Sequence, residues 1–462
     1  MLFKSGHSLK FCVYSYFKRN FCCSSICHAE KNSRRQYVRK FLHVPTIANT
    51  DANKCQSQNM FLNSDIIFHT HAGVFTYLPL GLRALEKLTH LIDEEMQDIG
   101  AQKIAMPTLI KSSLWKKTER WETEELFKIL DRHNKEYCLG PTHEEVVTSM
   151  IADCDISSKM FPLMLYQITK KFRDEKHPKH GLLRGREFEM KDMYTFDSNE
   201  KNAMNTYYLV CDAYCRIFDR LGVQYMMVEG STGNIGGSMS HEFHIPASVG
   251  EDSIYMCNEC GFGTNKELIS EETLEKEDVA CSKCEAKMTK FSGIEVGHAF
   301  LLGTKYSDIL EATFQDGNKN RSLQMGCYGL GVSRILQASV EVLSKDENIR
   351  WPSLIAPFQV CIIPQMGGYG GEKFTQVADE LSDVLTKLPN LKNEVVIDDR
   401  VKLTVGNRMF AAMKHGYPYI VVVGKKCLVE PKLYEVIDTI TDNTVFMTLE
   451  QVIEKFKLIQ TI

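Results

Sequence analysis

Apolar residues recur at helical spacing from Leu82 onward: Leu85, Leu88, Leu91, Ile92 and Met96 fall on one face, and Gly100 ends the run. The spacing predicts a long helix. The stretch "QKIAMP" that follows reads as a short strand, and its closing Pro107 suits a sheet edge. Farther on, "KEYCLGPTHEEVVTSMIADC" gives a strand, a turn and a helix; Thr142 and Glu145 have the Thr-x-x-Glu spacing of a capping box, whereas Glu144 has no such use. Two alternating runs come next. In "YQITKKFRDE" one face carries Gln167, Thr169, Lys171, Arg173 and Glu175, and in "RGREFEMKD" one face carries Arg184, Arg186, Phe188, Met190 and Asp192. Joined by a loop around Pro178 to Gly181, they predict an antiparallel hairpin whose polar face sets arginines, a carboxylate and an aromatic ring side by side.

A helix near 202–221 leads to a glycine-rich turn (Gly233, Gly236, Gly237) with His241 and Glu242 at the start of the next strand. At "GCYGLGVSRILQASVEVL" a glycine-rich turn opens a helix and places Arg334 in its first turn, where free N–H groups already favour phosphate. The third glycine of a dinucleotide fingerprint is missing, as is the Gly-Lys-Ser/Thr of a P-loop, so neither nucleotide fold fits. From Pro357 strands and helices alternate ("FQVCIIP", "EVVIDD", "YIVVVGKK", "LYEVIDT"), which predicts a compact α/β domain after the linker "RWPSLIAPF".

With 462 residues, 44% hydrophobic and 25% charged, the chain exceeds one core and reads as two domains. No run approaches the 18 apolar residues or more of a membrane span. The first 40 residues hold nine Lys or Arg against the single acid Glu30, the composition of a mitochondrial transit segment. Removing their net +8 takes the chain from −4 to −12, so a nucleic-acid partner needs a local basic patch. Of the 16 cysteines, Cys257, Cys260, Cys281 and Cys284 form C-x2-C pairs twenty residues apart, as in a zinc ribbon; two incidental pairs in a surface insertion are the alternative.

If the hairpin face, Arg334 and Glu144 meet in one cleft, Arg173 and Arg334 can hold different phosphates of ATP, Glu175 can accept from the adenine amino group, and Phe188 can stack on the base. Attack of a carboxylate on the α-phosphate then makes a mixed anhydride by positioning and charge compensation from arginine and magnesium, without a side-chain nucleophile. Glu144 and Thr142 together satisfy both N–H donors of a secondary ammonium.

The blocks "FRDE", "GLLRGREFEMKDMYTF", "GPTHEE", "GGSMSHEF", "GIEVGHAFLLGTKYS", "GCYGLGVSRIL" and "APFQV" resemble those of the class II aminoacyl-tRNA synthetases, and among them the mitochondrial prolyl-tRNA synthetases, from about Phe61 to the C-terminus. The resemblance implies a transit segment over 1–45, an α+β catalytic domain with an antiparallel sheet over 46–350 carrying a Cys-rich insertion at 257–284, and a C-terminal α/β anticodon-binding domain over 357–462. It implies ATP with Mg2+, L-proline and tRNA(Pro) as substrates, a homodimer with Pro107 at the interface, no membrane, and a place in the mitochondrial matrix; structural Zn2+ on the four cysteines rests on their spacing alone. By the same resemblance Arg173, Glu175, Arg184, Phe188 and Arg334 bind ATP, Arg173 and Arg334 being catalytic, while Thr142, Glu144, Arg173 and His241 surround proline and the adenylate carboxyl. Lys176, His177, Lys179 and His180 are left for the tRNA acceptor end. No interval between the blocks is long enough for the editing domain of bacterial-type relatives. Rival readings are a threonyl-type synthetase, which would place zinc ligands in the amino-acid pocket, and a non-catalytic RNA-binding paralogue, which would have lost Arg173 or Arg334.

Overall fold

The computed structural model describes residues 35–44, 55–274, 278–365 and 371–462. The expected transit segment lies outside them up to residue 34. The elements that place the site are α1 (Pro79–Asp98), α2 (Glu144–Ala152), β1 (Leu163–Phe172), β2 (Glu187–Asp197), α3 (Glu200–Leu221), β3 (Met226–Glu229), β4 (Met239–Pro246), β5 (Asp252–Cys257), β6 (Gly263–Asn265), β7 (Met288–Gly303), β8 (Gln324–Gly331) and α4 (Val332–Leu343). One nine-stranded sheet runs in the order β4-β3-β6-β5-β7-β8-β2-β1 and ends on the two-residue strand Gln102–Lys103. Its pairings are antiparallel apart from two, β3 with β6 and Gln102–Lys103 with β1. β7 is long enough to pair with β5 along its first part and β4 along its second.

Helices α1, α3 and α4 cover the back of the sheet. Leu85, Leu88, Leu91, Ile92 and Met96 of α1, the residues that predict this helix, are all buried there with Tyr207, Tyr214 and Phe218 of α3. The front carries a second cluster in which Val147 and Ile151 of α2 pack on Leu163, Leu165, Tyr194, Phe196 and Met325. Only Gln102 and Lys103 of the expected "QKIAMP" strand pair, since beyond them the backbone N–H of Met106 is taken by the Gln167 side chain at 2.9 Å.

Three local expectations differ from the structure. The hairpin strands are β1 and β2, so Arg173, Glu175, Arg184 and Arg186 sit in the connecting loop rather than on strand faces. Lys171 does not face a ligand: it is buried and pairs with Asp192 across the hairpin at 2.6 Å. No capping box forms at α2, whose N-cap is His143 without a side-chain bond; Thr142 turns its hydroxyl on Glu144 instead.

The C-terminal domain holds β9 (Val360–Pro364), α5 (Gly371–Leu385), β10 (Val395–Ile397), α6 (Val405–His415), β11 (Tyr419–Val423), β12 (Tyr434–Asp438), β13 (Asn443–Met447) and α7 (Leu449–Lys457). β10, β9 and β11 are parallel, and β12 and β13 extend the sheet antiparallel. Its free edge beside β10 is taken by Gln36–Tyr37, in parallel register with Val396–Ile397. That strand lies inside the expected 1–45 segment, and its neighbours tie it down: Arg35 forks onto Asp379 and Asp383 at 2.8 and 2.7 Å, and Phe41 stacks on Phe358. The linker is packed rather than loose, with Ile349, Trp351, Ile355 and Phe358 in the main core. Across it Glu394 receives Arg83 and Lys87 of α1 at 2.9 and 2.5 Å.

Candidate active site

The front of the sheet opens into a cleft of about 190 Å³ whose walls include Thr142, Glu144, Arg173, Glu175, Phe188, Asp192, His298, Cys327 and Arg334. A second hollow of about 220 Å³ continues from it past Arg184, Glu251 and Asp252, sharing Arg173, Glu175, Glu295 and Arg334. Of the residues expected from the sequence, Thr142, Glu144, Arg173, Glu175, Phe188 and Arg334 are therefore brought to one cleft, and Arg184 to its extension.

Each is placed by a local cause. Alternation along β2 puts Phe188, Met190 and Asp192 on the front, and the Arg173 guanidinium stands over the Phe188 ring at 5.4 Å. A ligand base stacking there would be flanked by charge on a rigid strand. The Arg173 N–H bonds the Arg186 carbonyl at 2.9 Å, which closes the loop just past the hairpin. Gly73 braces that loop from outside: its carbonyl accepts from Arg186 at 2.7 Å, and at φ +75 a Cβ there would lie 2.8 Å from Pro178. Arg334, in the first turn of α4, donates from Nε to the Leu183 carbonyl at 2.8 Å and from Nη1 to the Glu295 carbonyl at 2.6 Å, which orients the guanidinium on the cleft wall and leaves Nη2 without a bond among the described residues.

Arg184 and Glu175 are paired with each other at 2.9 Å, and Arg184 also holds Glu251 at 2.8 Å. Glu251 further binds Lys179 at 2.8 Å, and the His180 carbonyl accepts from Gln337 at 2.9 Å, so two of the four loop residues expected to serve RNA have protein partners.

At the inner end Glu144 is fully buried, accepts from Thr142 Oγ1 at 2.7 Å and Cys327 Sγ at 2.9 Å, and pairs with Arg120 at 3.2 Å. Burial pushes its carboxyl up, but Arg120, Cys327 and Thr142 outweigh that and hold it below the ordinary glutamate range. The Tyr194 hydroxyl ties the floor together by donating to Asp192 at 2.9 Å and receiving the His143 N–H at 2.8 Å.

His241 is not brought to the cleft. It pairs with Ala299 on the back of the sheet and bonds the Tyr207 hydroxyl of α3 at 2.8 Å, while its neighbour Glu242 pairs with His298 on the front. A register one residue off in a strand reverses the face. His298 is the histidine in the cleft: its Nδ1 lies 3.1 Å from Glu295, and its buried Nε2 has no partner among the described residues. Plain alternation through "GIEVGHAFLLG" does not find it: Val296 and Ala299 both face the back although three residues apart, because β7 bulges at Val296 against β4. Arg120 was likewise missed, because nothing in its local pattern shows that the loop after Ser112–Lys117 folds onto α2.

The comparisons with known proteins bear on the same residues. Residues 127–343 match the tRNA synthetase class II core domain (G, H, P, S and T), and residues 359–458 match an anticodon binding domain. The chain is 49% identical over 405 residues to the Rattus norvegicus protein named "Probable proline--tRNA ligase, mitochondrial", which covers 87% of this chain and 84% of that protein. The human protein of the same name is 46% identical over 89% of this chain and 87% of its own length, and the "Proline--tRNA ligase" of Ehrlichia chaffeensis is 36% identical over 90% and 98%. The chain belongs to the proline–tRNA ligase family. Within that family the nine-stranded sheet is the class II core, built for ATP-dependent ligation, and the sheet of β9 to β13 lies in the anticodon-binding domain.

The four cysteines stand apart from this cleft, in the small lobe between β5 and β7. Their sulfurs all lie within 4.8 Å of one another, with Cys257–Cys284 at 3.4 Å and Cys260–Cys281 at 3.6 Å. Each pair forms the same turn. Gly261 N–H bonds the Cys257 carbonyl at 3.0 Å, Glu285 N–H bonds the Cys281 carbonyl at 2.9 Å, and both residues have positive φ. Zn–S bonds of about 2.3 Å in a tetrahedron place sulfurs about 3.8 Å apart, so the cradle fits zinc.

Proposed function

We propose that the chain activates L-proline with ATP and Mg2+ to prolyl-adenylate and transfers the prolyl group to tRNA(Pro). The observation that carries the reading is the convergence of Arg173, Phe188 and Arg334 with the Thr142–Glu144 pair in one cleft. Phe188 offers a stacking surface for adenine, and Glu175 an acceptor for its amino group once released from Arg184. Arg173 and Arg334 bracket the phosphates between the two hollows. Glu144 and Thr142 take the secondary ammonium, and His298, in place of His241, offers its unpaired Nε2 at the carboxyl end. Magnesium, held by the ATP phosphates, would supply charge neutralisation there. In-line attack of the proline carboxylate then displaces pyrophosphate; the bond broken joins the α- and β-phosphates, and no proton has to move. Amino-acid-dependent ATP–pyrophosphate exchange tests this directly: it is expected with proline, and exchange with threonine but not proline would defeat the reading.

The same reading places the enzyme in the mitochondrial matrix as a homodimer. Its import leader ends before Arg35, because Gln36–Tyr37 complete the edge of the C-terminal sheet and Arg35 and Phe41 anchor them. An intact-mass measurement on protein recovered from mitochondria is expected to show Arg35 retained; a mature chain beginning after Phe41 would refute that boundary. Zinc on Cys257, Cys260, Cys281 and Cys284 is a structural staple, remote from the amino-acid end of the cleft.

A further inference from the structure

Arg120 has no part in the chemistry described so far, yet it is the most heavily engaged cation at the amino-acid end. Its Nη1 lies 3.2 Å from Glu144 Oε2, 2.9 Å from Glu145 Oε1 and 3.1 Å from the Tyr306 hydroxyl, and its guanidinium stacks on Trp115 at 4.6 Å. Both glutamates are completely buried. Glu145 has one further donor, Thr118 at 2.9 Å, and its second oxygen is without a partner among the described residues. Two carboxyl groups and one guanidinium thus share a buried pocket, where an ionised carboxylate is tolerated only when compensated, as Glu144 is by Arg120. Glu144 is the member that lines the cleft.

We propose that Arg120 is a positioning and specificity-determining residue: it clamps Glu144 as an oriented, ionised carboxylate that faces the secondary ammonium of the amino acid. The pocket therefore selects a cationic nitrogen over a neutral isostere of the same ring. The inference rests on the cleft being the prolyl-adenylate site.

The electrostatics agree with the geometry. Glu145 is raised above the ordinary range, first by burial, against the pull of Arg120, and then by the charge of Glu144 beside it. Glu144 is thereby left as the ionised member. The other ionisable groups around Glu144 hold their charge near neutral pH. Burial pushes the Tyr194 and Tyr306 phenols and the Cys327 thiol up, and pushes His143 down, so all four stay neutral. Lys171 is matched by Asp192, and Lys305, which donates to the carbonyls of Asn234 and Ile235, is a second cation acting on Glu144 and Glu145.

The test is exchange kinetics on the full chain. Proline-dependent exchange by the wild type comes first, and its absence would defeat the assignment of the site rather than the role of Arg120. Arg120→Gln is expected to raise the KM for proline about 30-fold, as for truncation of one partner in a buried charge pair, with the KM for ATP changed by less than about twofold. Inhibition by tetrahydrofuran-2-carboxylate, which has oxygen in place of the ring nitrogen, is expected to strengthen relative to proline in that variant, since a protonated Glu144 can donate to the ether oxygen. Arg120→Lys restores most of the proline KM. In the wild type the proline KM stays level between about pH 6 and pH 8. An Arg120→Gln enzyme with unchanged proline KM and unchanged preference over the furan acid would overturn the proposal. If that variant does not fold, either an Arg120→Lys enzyme whose KM rises equally for ATP and proline, or a wild-type proline KM that climbs tenfold toward pH 6, overturns it.

Discussion

Arg173→Ala is expected to lower proline-dependent ATP–pyrophosphate exchange by about 1,000-fold while leaving the melting temperature within a few degrees of wild type. The structure separates the two effects. The Arg173 side chain forms no ion pair among the described residues, and its one specific contact is the face of Phe188. Its structural bond, to the Arg186 carbonyl, is made by the backbone and survives truncation to alanine. What is lost is a preorganised positive charge beside the α-phosphate, where negative charge builds as the carboxylate attacks. Such a charge acts mainly on the transition state, so the loss belongs in kcat rather than in the KM for ATP. An Arg173→Ala enzyme with near wild-type exchange would remove this arginine from the phosphate site, and a cooperative loss of folding would make it a structural residue.

Removal of metal gives the second large effect, confined to the lobe between β5 and β7. Among the described residues, the apolar cluster there contains only Tyr255, Cys257, Val279, Cys281 and Met288 as buried members, too few to hold a fold without a staple. Binding of zinc and folding of the lobe are then a single equilibrium. Purified protein is expected to carry one zinc per chain, and Cys281→Ser to lose it along with amide protection across 257–288. The second half of β7 stays paired to β4 and β8 on either side, so His298 keeps its place and exchange activity survives. Less than about half an equivalent of zinc in the wild-type protein would count against the staple. A Cys281→Ser variant that keeps both metal and protection would do so equally.

Much of the site was legible because it is written in contiguous blocks. Phe188 lies on a hairpin strand with Arg173 and Glu175 in the adjoining loop, and Arg334 follows a glycine-rich turn at a helix start; the hairpin and the helix show periods of 2 and 3.6 that a sequence displays directly. The errors share a different cause. Thr142 and Glu145 had the spacing of a capping box, but a buried neighbour, Glu144, competed for the Thr142 hydroxyl and Arg120 claimed Glu145. Local propensity yielded to the cost of leaving buried charge uncompensated. His241 was misplaced by the face of its strand, which is fixed by pairing of β4 with β7 and by packing of Tyr207 from a distant helix.

By itself, then, the sequence determined most of the elements and the order of the two domains, and it picked out Arg173 and Arg334, which the fold brings to one cleft, since these follow from local periodicity and from residue chemistry at short range. Tertiary structure alone decided which histidine faces the cleft, that Lys171 pairs with Asp192 instead of a ligand, that Arg120 pairs with Glu144, and that Gln36–Tyr37 join the C-terminal sheet. Each of those outcomes depends on partners far away in the chain. Burial makes pairing compulsory for a charged or hydrogen-bonding group, and no local pattern shows which distant group will be there to pair.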